Sequence, residues 1–226
     1  MLDQASLPNK SRIKAVLLDM DDTLFLEHSY VLSGIAAVAR FLAPLTFEPE
    51  NEIKARLSYR FLKFGRRQLF DAELSNPAVC RLEQIVDVYR NHLPQVSLFE
   101  HAATDIQRLA QTNHVGLVTD GAMTMQTRKV KALGLDKLIP HIVYCAELNA
   151  PKPQPTAFLH AARMIGVEPA QCLVIGDDPT ADMPAADLAG MACIRVMTGR
   201  YSLLRSDAET YGIASTFHEA VSVLTN

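Results

Sequence analysis

Four short apolar runs, "IKAVLLD", "HVGLVTD", "QCLVIGD" and "ACIRVM", constrain this chain more than any other feature. They are rich in Val, Ile and Leu and show little polar alternation, which suits strands buried on both faces of a parallel sheet. A less regular fifth run, "HIVYCAEL", lies between the second and third. Helix-period segments separate or flank them: "ATDIQRLAQT", "MTMQTRKVKALGL", "PTAFLHAARMIGV" and "MPAADLAGM", the second and third ending in glycine-containing stop signals. Alternation of this kind from about residue 99 onward predicts an α/β fold, a doubly wound parallel-sheet core of Rossmann-like type.

Residues 26–98 break the alternation. They carry helix-like segments, "SYVLSGIAAVARFLA", "ENEIKARLSYRFLKFG" and "NPAVCRLEQIVDVYRNHL", separated by Pro44, Pro49, Pro77 and Pro94. The expected organisation is therefore a core built from residues 1–25 and 99–226, interrupted by a helical insertion over 26–98.

Three of the apolar runs end in acids. "VLLD" delivers Asp19, followed by Asp21 and Asp22; "LVTD" delivers Thr119 and Asp120; "LVIGD" delivers Gly176 and Asp177. In an open parallel sheet the C-terminal strand ends share one edge, where ligands bind, so carboxylates distant in sequence would converge there. Such a cluster is tolerable only if a cation or unusual protonation relieves it. Hard oxygen donors without His or Cys suit Mg2+, with manganese or cobalt as possible substitutes.

Taken together in order, "DMDDTLF", "LVTDG", "PKPQPTAF" and "VIGDDPTADMPAADLAGM" resemble the four motifs of the haloacid dehalogenase superfamily, which is dominated by phosphatases. The resemblance covers residues 13 to about 200, and the helical insertion resembles the superfamily's first cap class. It implies Asp19 as a nucleophile forming an aspartyl-phosphate, a role open to a carboxylate because it is ionised at neutral pH. It implies Asp21 as general acid and base, its proton favoured by the nearby charge of Asp19. The superfamily's dehalogenases lack an acid there, since expelled halide needs no proton, so Asp21 points to phosphoryl transfer. Thr23 matches a loop-supporting hydroxyl, or else a plain turn residue; Asp22 reads as a solvated or helix-capping carboxylate.

The same resemblance makes Thr119, Asp120 and Gly121 the phosphate-binding loop, with Asp120 standing where the family usually has Asn. Lys152, between Pro151 and Pro153, matches the cation that neutralises nucleophile and phosphoryl group. Asp177 matches the direct metal ligand, joined by Asp19 and the backbone carbonyl of Asp21. Asp178 and Asp182 are the alternatives for the second acid, Asp182 acting through water or by orienting other ligands. The implied activity is a Mg2+-dependent phosphomonoesterase for a small metabolite such as a sugar phosphate or nucleotide. A phosphomutase, or a catalytically silent phosphometabolite-binding protein, remains an alternative.

A net charge of -3 gives no broad basic field, which argues against nucleic acid or an anionic membrane as main partner and for a small phosphate ester. Cys80, Cys145, Cys172 and Cys193 have no metal spacing and read as reduced, mostly buried thiols. The polar start "MLDQASLPNKSR" has no signal-like apolar core, and the apolar stretch "YVLSGIAAVARFLAPL" is short and interrupted by Arg40, so a cytoplasmic monomer or homodimer is expected. Arg56, Arg60, Lys63, Arg66 and Arg67 in the insertion either face a second anionic group of the substrate or form the outer face of an amphipathic helix. His28 and Tyr30 read as entrance or hinge-packing residues, and Arg200 as a loop residue near the site or in solvent.

Overall fold

The computed structural model describes residues 12–66, 69–70, 81–204 and 212–225. Arg67, Pro77 and Cys80 lie outside the described residues. The chain divides into two compact units, one of residues 1–27 and 97–226, the other of residues 28–96.

The first unit is built on a six-stranded parallel sheet of order β3-β2-β1-β4-β5-β6. Its strands are β1 (Ala15–Leu18), β2 (His114–Thr119), β3 (His141–Tyr144), β4 (Cys172–Gly176), β5 (Ala192–Val196) and β6 (Gly212–Ala214). Every residue of β1 and β4 is buried, because helices leave neither face of a parallel sheet to water. Ala15, Leu17, Val174 and Cys172 pack with Phe158, Ala161 and Ala162 in one apolar cluster. Burying a Leu side chain such as Leu17 contributes about 1.5–3 kcal/mol.

Strand order reverses at β1. From there β2 and β3 run outward on one side and β4, β5 and β6 on the other, so β1 and β4 flank the switch point where such sheets bind ligands. The pairing sets Leu18 beside both Leu117 and Ile175, and the Asp19 amide extends the ladder by donating to the Ile175 carbonyl at 2.9 Å. The loops after β1 and β4 therefore start at one level.

Helices α4 (Ala102–Leu109), α5 (Met123–Ala132), α6 (Leu135–Leu138), α7 (Thr156–Ile165), α8 (Asp182–Leu188) and α9 (Phe217–Thr225) complete this unit. Gly134 and Gly166 follow α5 and α7 with left-handed φ of 69° and 81°, as stop residues do. The run "HIVYCAEL" is only part strand: β3 ends at Tyr144, and Cys145–Leu148 forms a 3-10 turn. Strand β6 and helix α9 were not expected from the sequence.

The second unit is helical, with α1 (Glu27–Thr46), whose first residue belongs to the first unit, α2 (Glu50–Phe64) and α3 (Leu82–Asn91). Pro44 does not separate helices as expected; α1 runs through it to Thr46. Pro44 is exposed and lies in the last turn, so the hydrogen bond it removes and the clash of its ring disturb only the end of the helix. Helix α1 is long and apolar enough to cross a bilayer by composition, but Tyr30, Val31, Ile35, Val38, Ala39 and Leu42 are buried at a three-to-four-residue period, the stripe of a core helix. Tyr30 sits in an aromatic cluster, its ring 4.9 Å from His92 and 6.1 Å from Tyr89, so it is a packing residue; His28 meets Phe61 edge-on at 4.7 Å. On α2, Ile53 and Leu57 face inward while Lys63 lies over the Tyr59 and Phe64 rings on the outer side. Arg56 pairs with Glu48 at 2.8 Å.

Candidate active site

Asp19 follows β1 directly and is 6% exposed. Its Oδ1 accepts from Lys152 Nζ at 2.6 Å, and the same ammonium donates to Asp182 Oδ1 at 2.6 Å and lies 3.4 Å from the Val118 carbonyl. Lys152 comes from the loop before α7, 133 residues from its partner in sequence, and is itself buried. Its backbone amide donates to Asp120 Oδ2 at 2.9 Å. Asp120 thus fastens the lysine loop to the end of β2, a task for which its carboxylate is suited.

Asp177 follows β4. Its Oδ2 is buried with no hydrogen-bond partner among the described residues, while its backbone carbonyl is held by Arg195 Nε at 3.2 Å. Arg195, on β5 and fully buried, also donates to the Tyr201 carbonyl at 2.6 Å, tying the loops after β4 and β5 together. Asp182 approaches from the first turn of α8, and its Oδ2 accepts from the Asp178 amide at 3.1 Å. A Cβ on residue 176 would collide with the Asp182 carboxylate, so Gly176 leaves the space through which Asp182 reaches Lys152.

Asp19, Asp177 and Asp182 each offer an oxygen within 4.8 Å of the others. Asp178 stands apart: it is partly exposed and its Oδ1 accepts from the Thr180 amide and hydroxyl at 2.8 and 2.7 Å, a local turn. One ammonium cannot offset three buried carboxylates. Burial pushes Asp177 up to about 10, assisted by the charges of Asp19 and Asp182, and pushes Asp19 up to about 8 against the attraction of Lys152. The Lys152 ammonium is raised in turn, because Asp182 and Asp19 outweigh its desolvation. An unpartnered buried carboxylate oxygen, two further carboxylates and an excess of negative charge fit a hard divalent cation.

Asp21 lies on a different wall of the site. Its Oδ1 accepts from Lys129 Nζ at 2.6 Å and its Oδ2 from Gln126 Nε2 at 2.8 Å. Its proton affinity is raised chiefly by burial, opposed by Lys129, with Glu27 rather than Asp19 as the leading charge that raises it. Gln126 also donates to Thr119 Oγ1 at 2.6 Å, and Gly121, with φ of 123°, lies where a Cβ would press on that amide. Gln126 and Lys129 went unnoticed in the sequence. Both lie on the buried side of α5 with Val130, a placement that the exposed Lys131, two residues past Lys129, does not share.

Asp22 and Thr23, which follow Asp21, are packed and not solvated. Asp22 is 4% exposed and left-handed, with φ of 57°; its Oδ1 accepts from the Glu27 amide at 2.9 Å at the start of α1, its Oδ2 from the Arg200 amide at 3.2 Å, and its carbonyl from the Thr198 hydroxyl. Of the two expectations for Asp22, helix capping holds and solvation does not. Thr23 is fully buried, and its hydroxyl has no partner among the described residues. Arg200 is exposed and reaches Glu27 at 3.5 Å.

A family model for haloacid dehalogenase-like hydrolases matches residues 13–190. The chain belongs to that family. This hydrolase is 28% identical over 202 residues to a glyceraldehyde 3-phosphate phosphatase of Methanopyrus kandleri, covering 84% of this chain and 86% of that protein. Among solved structures, a HAD-superfamily hydrolase of subfamily IA from Geobacter sulfurreducens superposes with a TM-score of 0.70 at 19% identity, over 94% of this chain and 97% of that one. A 2-haloacid dehalogenase from Pseudomonas syringae superposes with a TM-score of 0.66 at 25% identity, over 94% and 98%. The hydrolase therefore shares its fold with enzymes that cleave different bonds, and its own side chains must decide the chemistry.

Proposed function

We propose that this hydrolase is a Mg2+-dependent phosphomonoesterase acting on a small phosphorylated metabolite, with the helical unit as its cap. The observation that carries the reading is the pairing, on one loop, of Asp19 against Lys152 with a second carboxylate, Asp21, held two residues on. A dehalogenase has no use for the second acid, because halide leaves unprotonated. An alkoxide leaving from phosphorus does need a proton. The Methanopyrus relative, by its name a phosphatase, supports the same choice.

In this reading Asp19 attacks phosphorus through a carboxylate oxygen. The bond from phosphorus to the ester oxygen breaks, and the departing oxygen takes the electron pair and a proton from Asp21. Asp21 then accepts a proton from water as the water attacks phosphorus, releasing phosphate and restoring Asp19. Lys152 offsets charge on Asp19 and on the phosphoryl oxygens, while the Thr119 hydroxyl and the backbone at Asp120 and Gly121 hold those oxygens in place. Asp19, Asp177 and the Asp21 carbonyl would hold magnesium, with Asp182 orienting Lys152 and Asp178 a lesser candidate. A bound divalent ion supplies Lewis-acid charge stabilisation and orients the phosphoryl group.

The test is phosphate release from a panel of phosphate esters with magnesium, with EDTA, and with Asp19→Asn. Release that needs magnesium and falls by ~10³-fold or more in Asp19→Asn is the expected result. Isomerised ester without free phosphate would assign a mutase, and metal-dependent ligand binding without turnover a binding protein; either overturns the proposal.

A further inference from the structure

The buried lysine of α5 is not accounted for by the motif residues. Lys129 is 2% exposed, its Nζ is 2.6 Å from Asp21 Oδ1 and 3.6 Å from Glu27 Oε1, and it lies 5.9 Å from the centre of the Phe25 ring. One helical turn earlier, Gln126 is equally buried, and its single amide nitrogen reaches both Asp21 Oδ2 and Thr119 Oγ1. We propose that Gln126 and Lys129 are positioning residues that fix Asp21 for proton transfer to the leaving oxygen and aim the Thr119 hydroxyl at the phosphoryl group. The inference rests on the phosphomonoesterase reading.

Two fixed donors at an (i, i+3) spacing grip the two oxygens of one carboxyl, which sets both the position and the plane of the group. Ammonium and amide N–H groups only donate, so both Asp21 oxygens act as acceptors toward α5. Each carboxyl oxygen has a second lone-pair site, and the plane set by the clamp decides where a proton on that site points. The Asp21 carboxylate also fixes which end of Gln126 is nitrogen, since an amide oxygen there would meet a second acceptor.

Gln126 has two amide hydrogens and two acceptors within reach, Asp21 and Thr119. Thr119 Oγ1, receiving a hydrogen at 2.6 Å, keeps its own hydrogen for another acceptor. At the end of β2 that acceptor is a phosphoryl oxygen. One buried amide thus links the group that binds the transferred phosphoryl to the group that protonates what leaves. On the far side of Lys129, Glu27 is held by its own amide to Asp22 Oδ1 and by Arg200, so the ammonium is braced from behind.

Leaving-group dependence separates positioning of the acid from general structural damage. The parameter kcat/KM covers only the steps up to departure of the alcohol, and an alkyl alcohol needs protonation far more than p-nitrophenolate does. We would measure kcat/KM on glycerol phosphate and p-nitrophenyl phosphate for the wild type, Lys129→Met, Lys129→Arg and Gln126→Leu, with magnesium-induced thermal shifts as a check on the metal site. The expected result is a loss of ~100-fold or more on the alkyl ester and under ~10-fold on the aryl ester in Lys129→Met, with the ratio largely restored in Lys129→Arg. Gln126→Leu should lose on both esters, more on the alkyl ester, and the magnesium shift should persist in every variant that folds. If Lys129→Met does not fold, the ester ratio in Gln126→Leu decides. Equal losses on the two esters would overturn the inference while leaving the phosphomonoesterase reading intact. Absence of release by the wild type from both esters would overturn that reading and the inference with it.

Discussion

With its Oδ2 buried and unpartnered among the described residues, Asp177 holds its proton far above the usual carboxylate range, and ionises fully only when a cation offsets its charge. Its neighbours are carboxylates, and the guanidinium of Arg195 touches its backbone carbonyl and not its side chain. Asp177→Asn keeps the shape and removes the ionisable group. Thermal melting of the metal-free variant should match or exceed that of the wild type, by about 1 kcal/mol or a few degrees, because a buried unpaired carboxyl is lost. Added magnesium should raise the wild-type Tm and leave the variant unmoved, and turnover should fall ~100-fold or more. A magnesium shift retained in Asp177→Asn would remove this residue from the metal site. At this scale Asp19, Thr119 and Asp177 stand out as candidates in the sequence because strand ends in a parallel sheet fall on one edge, and Lys152 because it stands between two prolines before an apolar helix. Gln126, Lys129 and Arg195 are not, since their importance comes from which carboxylate or carbonyl the fold sets opposite them. Lys129 in "QTRKVKAL" has the same local context as the exposed Lys131.

Strands β4 and β5 bring two thiols, Cys172 and Cys193, into the layer beneath the site, and Cys145 follows β3. All three are free and buried. Burial pushes Cys172 up to about 11 and Cys193 up to about 12, and raises Cys145 as well. A thiol whose proton is held more tightly folded than unfolded favours the fold below its ordinary titration range. That contribution is lost as pH rises through the range and toward the folded value. Iodoacetamide at pH 8 should therefore leave these three cysteines unlabelled in native protein and label them in urea, read by peptide mass mapping; the melting temperature should decline above about pH 9. Labelling of Cys172 in the native state would show that β4 opens. Elements were read from the sequence where a continuous apolar run or a helical period stood out, as in β1, β2, β4 and α7. Strand β6 has three residues, too few for a pattern, and it was missed. Helix α9 did carry a start signal, Thr216 and Glu219 in T-x-x-E spacing: the Thr216 hydroxyl accepts from the Glu219 amide at 3.1 Å, and the Glu219 carboxylate accepts from the Ser215 amide at 2.7 Å.

Across the whole molecule, the chain divides into a parallel α/β unit, which carries the candidate reacting groups named above, and a helical unit that follows the Asp19–Asp22 loop in sequence. The fold class could be read from sequence pattern, because a buried parallel sheet demands unbroken apolar strands. That pattern did not give the substrate, since specificity depends on a few side chains whose placement no periodicity encodes. In the proposed mechanism Asp19 becomes covalently phosphorylated. The most direct measurement is acid quench of the wild-type protein during turnover of an activated phosphate ester, followed by peptide mass mapping. A phosphoryl group on Asp19, absent in Asp19→Asn and more abundant in a variant at Asp21 that cannot activate water, is the predicted result. Phosphate release with no trapped phosphoryl on Asp19, or with the label on another residue, would contradict it.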